Sequence, residues 1–215
     1  MSTGNPPTRD VRSALLAAAR SELAAHGHAA ISLRAIARRA GVSHAAPKYF
    51  FNDRAGLLTA VATEGFRALT AALQEIEDND TAPPLAAIGT TYIDFGLHHP
   101  ALFDLMFRPS ELHPTDPDLT HAQAQAIGVL NSVVAQVAPP TEPPPHRLPS
   151  LTLISWALAH GLLVLTRDGA LPAAAGTDTP KDAAKLAHSL ADIFDAHIAN
   201  KTTVTPGTGP PEASG

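Results

Sequence analysis

With 215 residues, 45% of them hydrophobic, the chain has material for one large domain or two small ones around a proper core. Having no cysteine excludes a disulfide frame, a zinc–thiolate cluster and a thiol nucleophile. The formal net charge of −5 is unevenly spread: residues 1–60 hold eight Arg or Lys against three Asp or Glu, a balance of +5, so the remaining 155 residues carry −10. A basic head on an acidic body suits a head that meets nucleic acid, since neutralised phosphates supply most non-specific affinity; chance clustering of charge is the alternative.

In chain order, the opening MSTGNPPTRDVRS is polar and has no apolar core of the signal-peptide kind. Residues 1–8 are therefore expected as a disordered arm, and the protein in the cytoplasm. Thr8 can cap a first helix through about His26, with Val11, Leu15, Ala19 and Leu23 at i+4 spacing on one face and Gly27 as its stop. Ser32 is a second N-cap, opening LRAIARRA with Ile36 and Ala40 inward and Arg34, Arg38 and Arg39 outward. Gly41 permits a left-handed turn, Val42 plugs that turn into the core, and Ser43 caps a third helix of barely two turns. Three short helices, the last two joined by a tight turn, have the organisation of a helix-turn-helix, here about residues 32–51 of a DNA-binding domain spanning 9–69. The third helix presents Ser43, His44, Lys48 and Tyr49, while Ala45 and Ala46 let its backbone approach a groove floor. Pro47 falls at the edge of its first turn, where a missing N–H is tolerated.

Asp53 caps a fourth helix whose stripe runs through Leu58, Val61, Gly65, Phe66, Leu69, Leu73 and Ile76, and Pro83–Pro84 then resets the chain. Leu85, Ile88, Tyr92, Phe95 and His99 share a face of a fifth helix that Pro100 ends or bends before ALFDLMF. Pro109, Pro114 and Pro117 mark a loop, a helix covers about Asp118 to Val137, and PPTEPPPHRLP reads as an extended linker. A helix over about Ser150 to Thr166 is apolar nearly all round. Its run Leu151 to Leu165, interrupted by Ser155 and His160, falls short of the roughly 18 to 20 residues of a membrane span. The last helix, about Lys181 to Ala199, is amphipathic, and residues 201–215 are expected to be disordered. The expected fold class is all-α with about nine helices, residues 70–200 forming a second helical domain, which the polar and apolar residues below and the resemblance that follows mark as a ligand-binding and dimerisation domain.

Tyr92, His99, Trp156 and His160 place polar atoms in helices that otherwise look buried, and such atoms need partners. A pocket lined by Phe66, Leu69, Phe95, Phe103, Met106 and Phe107 would supply some; a core satisfied by internal hydrogen bonds is the alternative. The histidines lack a metal-binding spacing, and no nucleophile elbow, phosphate loop or dinucleotide fingerprint occurs. No cofactor, metal or catalytic residue is expected. A helix apolar on all sides needs a second cover, which dimerisation through Leu153, Ala157 and Leu165 with Leu190, Phe194 and His197 provides.

RSALLAAARSELAAHGHAAISLRAIARRAGVSHAAPKYFFNDRAGLLTAV resembles the DNA-binding domain of the TetR/AcrR family of transcriptional regulators, over about residues 9–65. YIDFGLHHPALFDLMF and SWALAHGLLVLTRDGAL are similar to the C-terminal domain named for its Trp, His and Gly, here Trp156, His160 and Gly161. The resemblance implies an all-helical homodimer whose last two helices pair as a four-helix bundle, with a small apolar effector releasing the head from DNA. A twofold dimer then sets its heads roughly 34–36 Å apart on a near-palindromic operator. By position, Arg34 corresponds to a base or phosphate contact, Ser32 to a phosphate contact, and Ser43, His44 and Ala45 to positions facing base edges. An alanine there can still read a thymine methyl. Lys48 replaces the family's usual tyrosine, Tyr49 offers the displaced hydroxyl, and Arg54 matches a lysine that touches the DNA backbone. The expected function is a ligand-responsive repressor, in which an effector among Phe66, Phe103 and Trp156 shifts the fourth helix. An effector-independent architectural DNA-binding protein is the second reading, and a helical carrier or enzyme the third.

Overall fold

The computed structural model describes residues 8–77, 85–137, 148–177 and 179–203. Within them are ten α-helices, two 3-10 turns and no strand. The Pro83–Pro84 break, the proline linker up to Arg147, the arm before Thr8 and the tail after Thr203 lie outside the described residues. The chain divides into two compact units, Met1–Gln74 with Phe95–Gly128, and Glu75–Asp94 with Val129–Gly215. The first unit thus contains the expected head and also a later stretch of chain.

In the first unit, α1 (Thr8–His26) buries Leu15, Leu16, Ala19 and Leu23 and ends where Gly27 turns at φ +73°. It packs on α2 (Leu33–Arg39), α3 (Ala46–Phe51) and α6 (Pro100–Met106). Between α1 and α2 lies the 3-10 turn His28–Ala30. α4 (Arg54–Glu77) begins here, and Asp53 caps it as expected, accepting the Gly56 N–H at 2.7 Å. That bond, with further help from His113, holds the Asp53 carboxyl below its ordinary pKa. Leu57, Leu58 and Val61 on α4, like Ile36 and Ala37 on α2, are fully buried core residues. Burying each Leu or Ile is worth about 1.5–3 kcal/mol.

Gly56 is required by close approach. A Cβ there would stand 2.0 Å from the Phe51 carbonyl oxygen, a backbone atom that cannot swing aside. Gly56→Ala is expected to lower stability by at least about 1–3 kcal/mol in urea unfolding; an unchanged midpoint would contradict this packing.

In the second unit, α5 (Leu85–His98) supplies its first ten residues, up to Asp94, and α7 (Pro117–Val137) its last nine, from Val129. Asp116 caps α7 through the Leu119 N–H at 3.0 Å, with Pro117 at the first helical position, as the Asp-Pro pair invites. α8 (Ser150–Arg167) packs against α9 (Ala170–Ala175) and α10 (Pro180–Thr203). Thr152 of α8 donates to Asn131 of α7 at 3.0 Å, and His188 of α10 meets Asp94 of α5 at 2.9 Å. Thr179 caps α10: its hydroxyl accepts the Asp182 N–H at 3.2 Å and donates to that carboxylate at 2.7 Å, a reciprocal cap. The helix runs past the expected Ala199 end to Thr203.

α9 was not anticipated. Gly169 and Gly176, both left-handed, bracket its ALPAAA sequence. α8 ends one residue later than expected, at Arg167, and with its 18 residues is long and apolar enough by length and composition to cross a membrane. One such helix is weak ground for a span.

Candidate nucleic-acid interface

The helix-turn-helix is assembled by α2, the turn Ala40–Ala45 and α3. Ala40 N–H closes on Ile36, Gly41 takes φ +67°, and Val42 N–H returns to the Ala37 carbonyl at 3.0 Å. The half-buried Val42 is the plug the sequence suggested. Ser32 does occupy the N-cap position of α2, yet its side chain makes no capping hydrogen bond and is exposed.

α3 differs from expectation in its start. The helix opens at Ala46 with Ala45 as N-cap, so Ser43 is not its cap; the Ser43 carbonyl instead accepts the Ala46 N–H in the turn before it. Pro47 therefore sits in the first helical turn, where its lack of an N–H leaves no bond unmade. Pro47 and Phe51, one turn apart, are the buried residues of α3, and the Arg12 guanidinium of α1 lies 5.3 Å over the Phe51 ring. Anchoring that face leaves Lys48 and Tyr49 outward. Tyr49 is 79% exposed and meets Phe50 edge-on at 5.1 Å between centroids.

Ser32, Arg34, Ser43, His44, Ala45, Lys48 and Tyr49 are all exposed on the two helices and their turn. Among the described residues Arg34, Arg38 and Lys48 form no ion pair, whereas Arg39 is held by Glu22 at 2.6 Å and Arg20 pairs with Glu64. Arg38 is outward by the sequence pattern, but its freedom shows only once Arg39 is seen to be engaged. Arg54 breaks the pattern. Its guanidinium turns inward, to the His28 carbonyl at 2.6 Å, the Ile31 carbonyl at 3.4 Å and Glu111 at 2.5 Å. A side chain so engaged is a structural pin, and the phosphate-contact reading of Arg54 does not fit its placement.

The ten expected pocket residues divide between the units. In the first, Phe66, Leu69, Phe95, Phe103 and Met106 are buried, with Phe66–Phe107 at 5.5 Å and Phe103–Phe107 at 4.7 Å between centroids. A Cβ at Gly65 would come within 2.7 Å of the Met106 sulfur, so α4 and α6 are in full contact there. That cluster is close-packed core. His99 is a correction: it is exposed, standing in the break between α5 and α6 against Phe95, and it edges a shallow recess of about 260 Å³ with Arg20 and Leu102.

In the second unit Tyr92, Trp156 and His160 do come together. The Trp156 indole N–H donates to the Tyr92 hydroxyl oxygen at 3.3 Å, and that hydroxyl lies 2.9 Å from His160 Nδ1. Burial raises the Tyr92 pKa far above its ordinary value and, with the Arg167 charge adding to it, lowers that of His160. The hydroxyl therefore stays protonated, accepting the indole N–H while hydrogen-bonded to the imidazole. Because the folded His160 resists protonation, its contribution to stability is full above pH 6.5 and is lost as pH falls below that value towards the folded pKa. His160→Gln is expected to lose less stability between pH 7.5 and 5 than the native chain in urea unfolding. Equal losses would show that His160 is not the group responsible.

These features define a helical protein with a basic helix-turn-helix head, a DNA-binding class. Comparison with protein families matches residues 15–61 to "Bacterial regulatory proteins, tetR family" and residues 85–196 to "Tetracyclin repressor-like, C-terminal domain". The chain belongs to the TetR family of transcriptional regulators. Among solved structures, a protein of unknown function from Rhodococcus sp. RHA1 is 32% identical, with 88% of this chain and 95% of that one covered at a TM-score of 0.70. A TetR family transcription regulator from Marinobacter aquaeolei VT8 is 25% identical over 85% and 94%, TM-score 0.55. The TetR-like regulator LfrR from Mycobacterium smegmatis, in complex with proflavine, shares the fold at 21% identity over 86% and 95%, TM-score 0.56. No curated protein matches.

Proposed function

We propose that this regulator is a homodimeric repressor that leaves a near-palindromic operator when a small, mainly apolar effector binds its C-terminal domain. The observation that carries the DNA half is the exposed, unpaired set Arg34, Arg38 and Lys48 flanking a turn whose other face is locked into the core. Ser43, His44 and Ala45 then meet base edges, and Tyr49 adds a hydroxyl for a phosphate.

For the dimer, the support is an apolar face left uncovered in the second unit. On α8, Leu153 is 44% exposed, Ile154 55% and Leu165 46%; on α10, Ile193 is 64% exposed. Ala157 lies on the exposed side of α8 with Gly161 one turn on, where an added Cβ would meet nothing, so a second helix can approach closely. His197 is exposed on α10, and Leu190 and Phe194 are half-buried beside Ile193.

For the effector, the support is the match of residues 85–196 to a tetracyclin repressor-like C-terminal domain, with Trp156 37% exposed beside Tyr92 and His160, whose hydroxyl and imidazole already meet each other within the chain. Phe66, Leu69, Phe103 and Met106 belong to the packed core of the other unit and are not assigned to the effector. A ligand favouring one arrangement of the dimer shifts the population away from the DNA-bound form by its differential affinity. The test is a footprint on DNA flanking the protein's own gene, with the double substitution Arg34→Ala, Lys48→Ala as control. Identical footprints would mean that DNA is met elsewhere.

A further inference from the structure

Resting on the DNA-binding reading, the geometry points to Arg54 and Glu111 as positioning residues for the helix-turn-helix: Glu111, in the connection after α6, holds the Arg54 guanidinium so that it fixes the α1–α2 connection from which Ser32 and Arg34 are presented.

Arg54 is the first residue of α4, and three of its nitrogens are engaged at once. Nη2 and Nε donate to the carbonyls of His28 and Ile31, which bracket the 3-10 turn between α1 and α2. Ile31 is buried and directly precedes Ser32, the N-cap of α2. The remaining bond, Nη1 to Glu111 at 2.5 Å, orients the fork, because a planar guanidinium held at one edge has its other donors fixed in direction. The Arg54 hydrogen bond, foremost, keeps the Glu111 carboxyl below its ordinary pKa.

Glu111 is itself fastened from the other side. It closes the 3-10 turn Pro109–Glu111, followed by the buried Leu112 and by His113. His113 N–H donates to the Thr59 hydroxyl of α4 at 2.8 Å, and its imidazole Nε2 lies 3.2 Å from Asp53, the cap of α4. The chain following α6 thus grips the first turns of α4 at three points, and through Arg54 that grip reaches the base of α2. A shift in the connection after α6 is thereby passed to the setting of α2.

The experiment compares the full-length native chain with Glu111→Gln, Arg54→Ala and the double variant, using a fluorescein-labelled duplex of the DNA flanking the protein's own gene and a salt titration. The expected result is binding about fivefold to tenfold weaker for Glu111→Gln with the slope of log K against log salt unchanged, the double variant being no weaker than Arg54→Ala. If Arg54 instead meets a phosphate, removing Glu111 frees it, so binding tightens, and Arg54→Ala flattens the slope by about 0.9 for each phosphate no longer neutralised; either result, or an unchanged Glu111→Gln affinity, overturns the inference. Should Arg54→Ala fail to fold, the near-isosteric variant Glu111→Gln carries the test. Hydrogen exchange over His28–Ile36 gives a readout that needs no DNA, and faster exchange in Glu111→Gln is expected. Unchanged exchange overturns the inference, whereas faster exchange in a protein that binds no DNA overturns the DNA-binding reading and leaves the coupling standing.

Discussion

Replacing Arg34 and Lys48 together by alanine is expected to weaken operator binding by at least about 10²-fold at physiological salt while leaving the fold intact. What matters is which cations are already compensated. Arg39, Arg20 and Arg54 are each paired with a carboxylate; Arg34 and Lys48 are exposed and carry no ion pair among the described residues. A charge-assisted hydrogen bond is worth about 1.5–3 kcal/mol, and in a two-headed dimer every substitution counts twice. Each phosphate no longer neutralised flattens the dependence of log K on log salt by about 0.9. Neither side chain packs into the core, so stability to heat moves by no more than about 0.5 kcal/mol. Fluorescence anisotropy across a salt series measures affinity and slope together. A double variant that binds with native affinity and native slope would remove α2 and α3 from the interface.

The head was legible because its signals are local. Gly41 in a left-handed turn, Asp53 capping three residues ahead and the i+4 rows of α1 and α4 are each decided by neighbours within one or two turns. Even there, Ser43 misled, since a serine ahead of an apolar pair resembles an N-cap and only the placement of Pro47 in the first turn moves the start to Ala46. Arg54 could not be read locally at all, its partner Glu111 lying 57 residues further along. The same position that suggests a phosphate contact has become a pin because a carboxylate arrives from a distant loop. Likewise His99 continues the apolar face of α5 by spacing, but Pro100 ends the helix and leaves it in solvent. The Tyr92–Trp156–His160 chain was foreseen as a set of polar atoms needing partners; that they satisfy one another is a tertiary fact.

If two copies pair as proposed, the double substitution Leu153→Asp, Ile193→Asp is expected to convert that dimer to a monomer at micromolar concentration, as sedimentation equilibrium would show. Leu153 and Ile193 are 44% and 64% exposed within the single chain, on α8 and α10, so their apolar surface contributes least where no second molecule covers it. Covering each is worth up to about 1.5–3 kcal/mol, and twofold symmetry counts every side chain twice, while a carboxylate in the same place would have to be stripped of water. Because these side chains project away from the chain's own core, the monomer keeps its helices, which separates loss of assembly from loss of fold. The native melting midpoint should rise with protein concentration and that of the variant should not, since only the native unfolding equilibrium includes association. Operator binding falls with it: two linked heads gain effective concentration that separate heads lack, a factor of about 10²–10⁴. If the variant stays dimeric, the exposed faces of α8 and α10 are not where two copies meet. If it is monomeric yet binds the operator as tightly as the native chain, a single head suffices and the near-palindromic operator loses its basis.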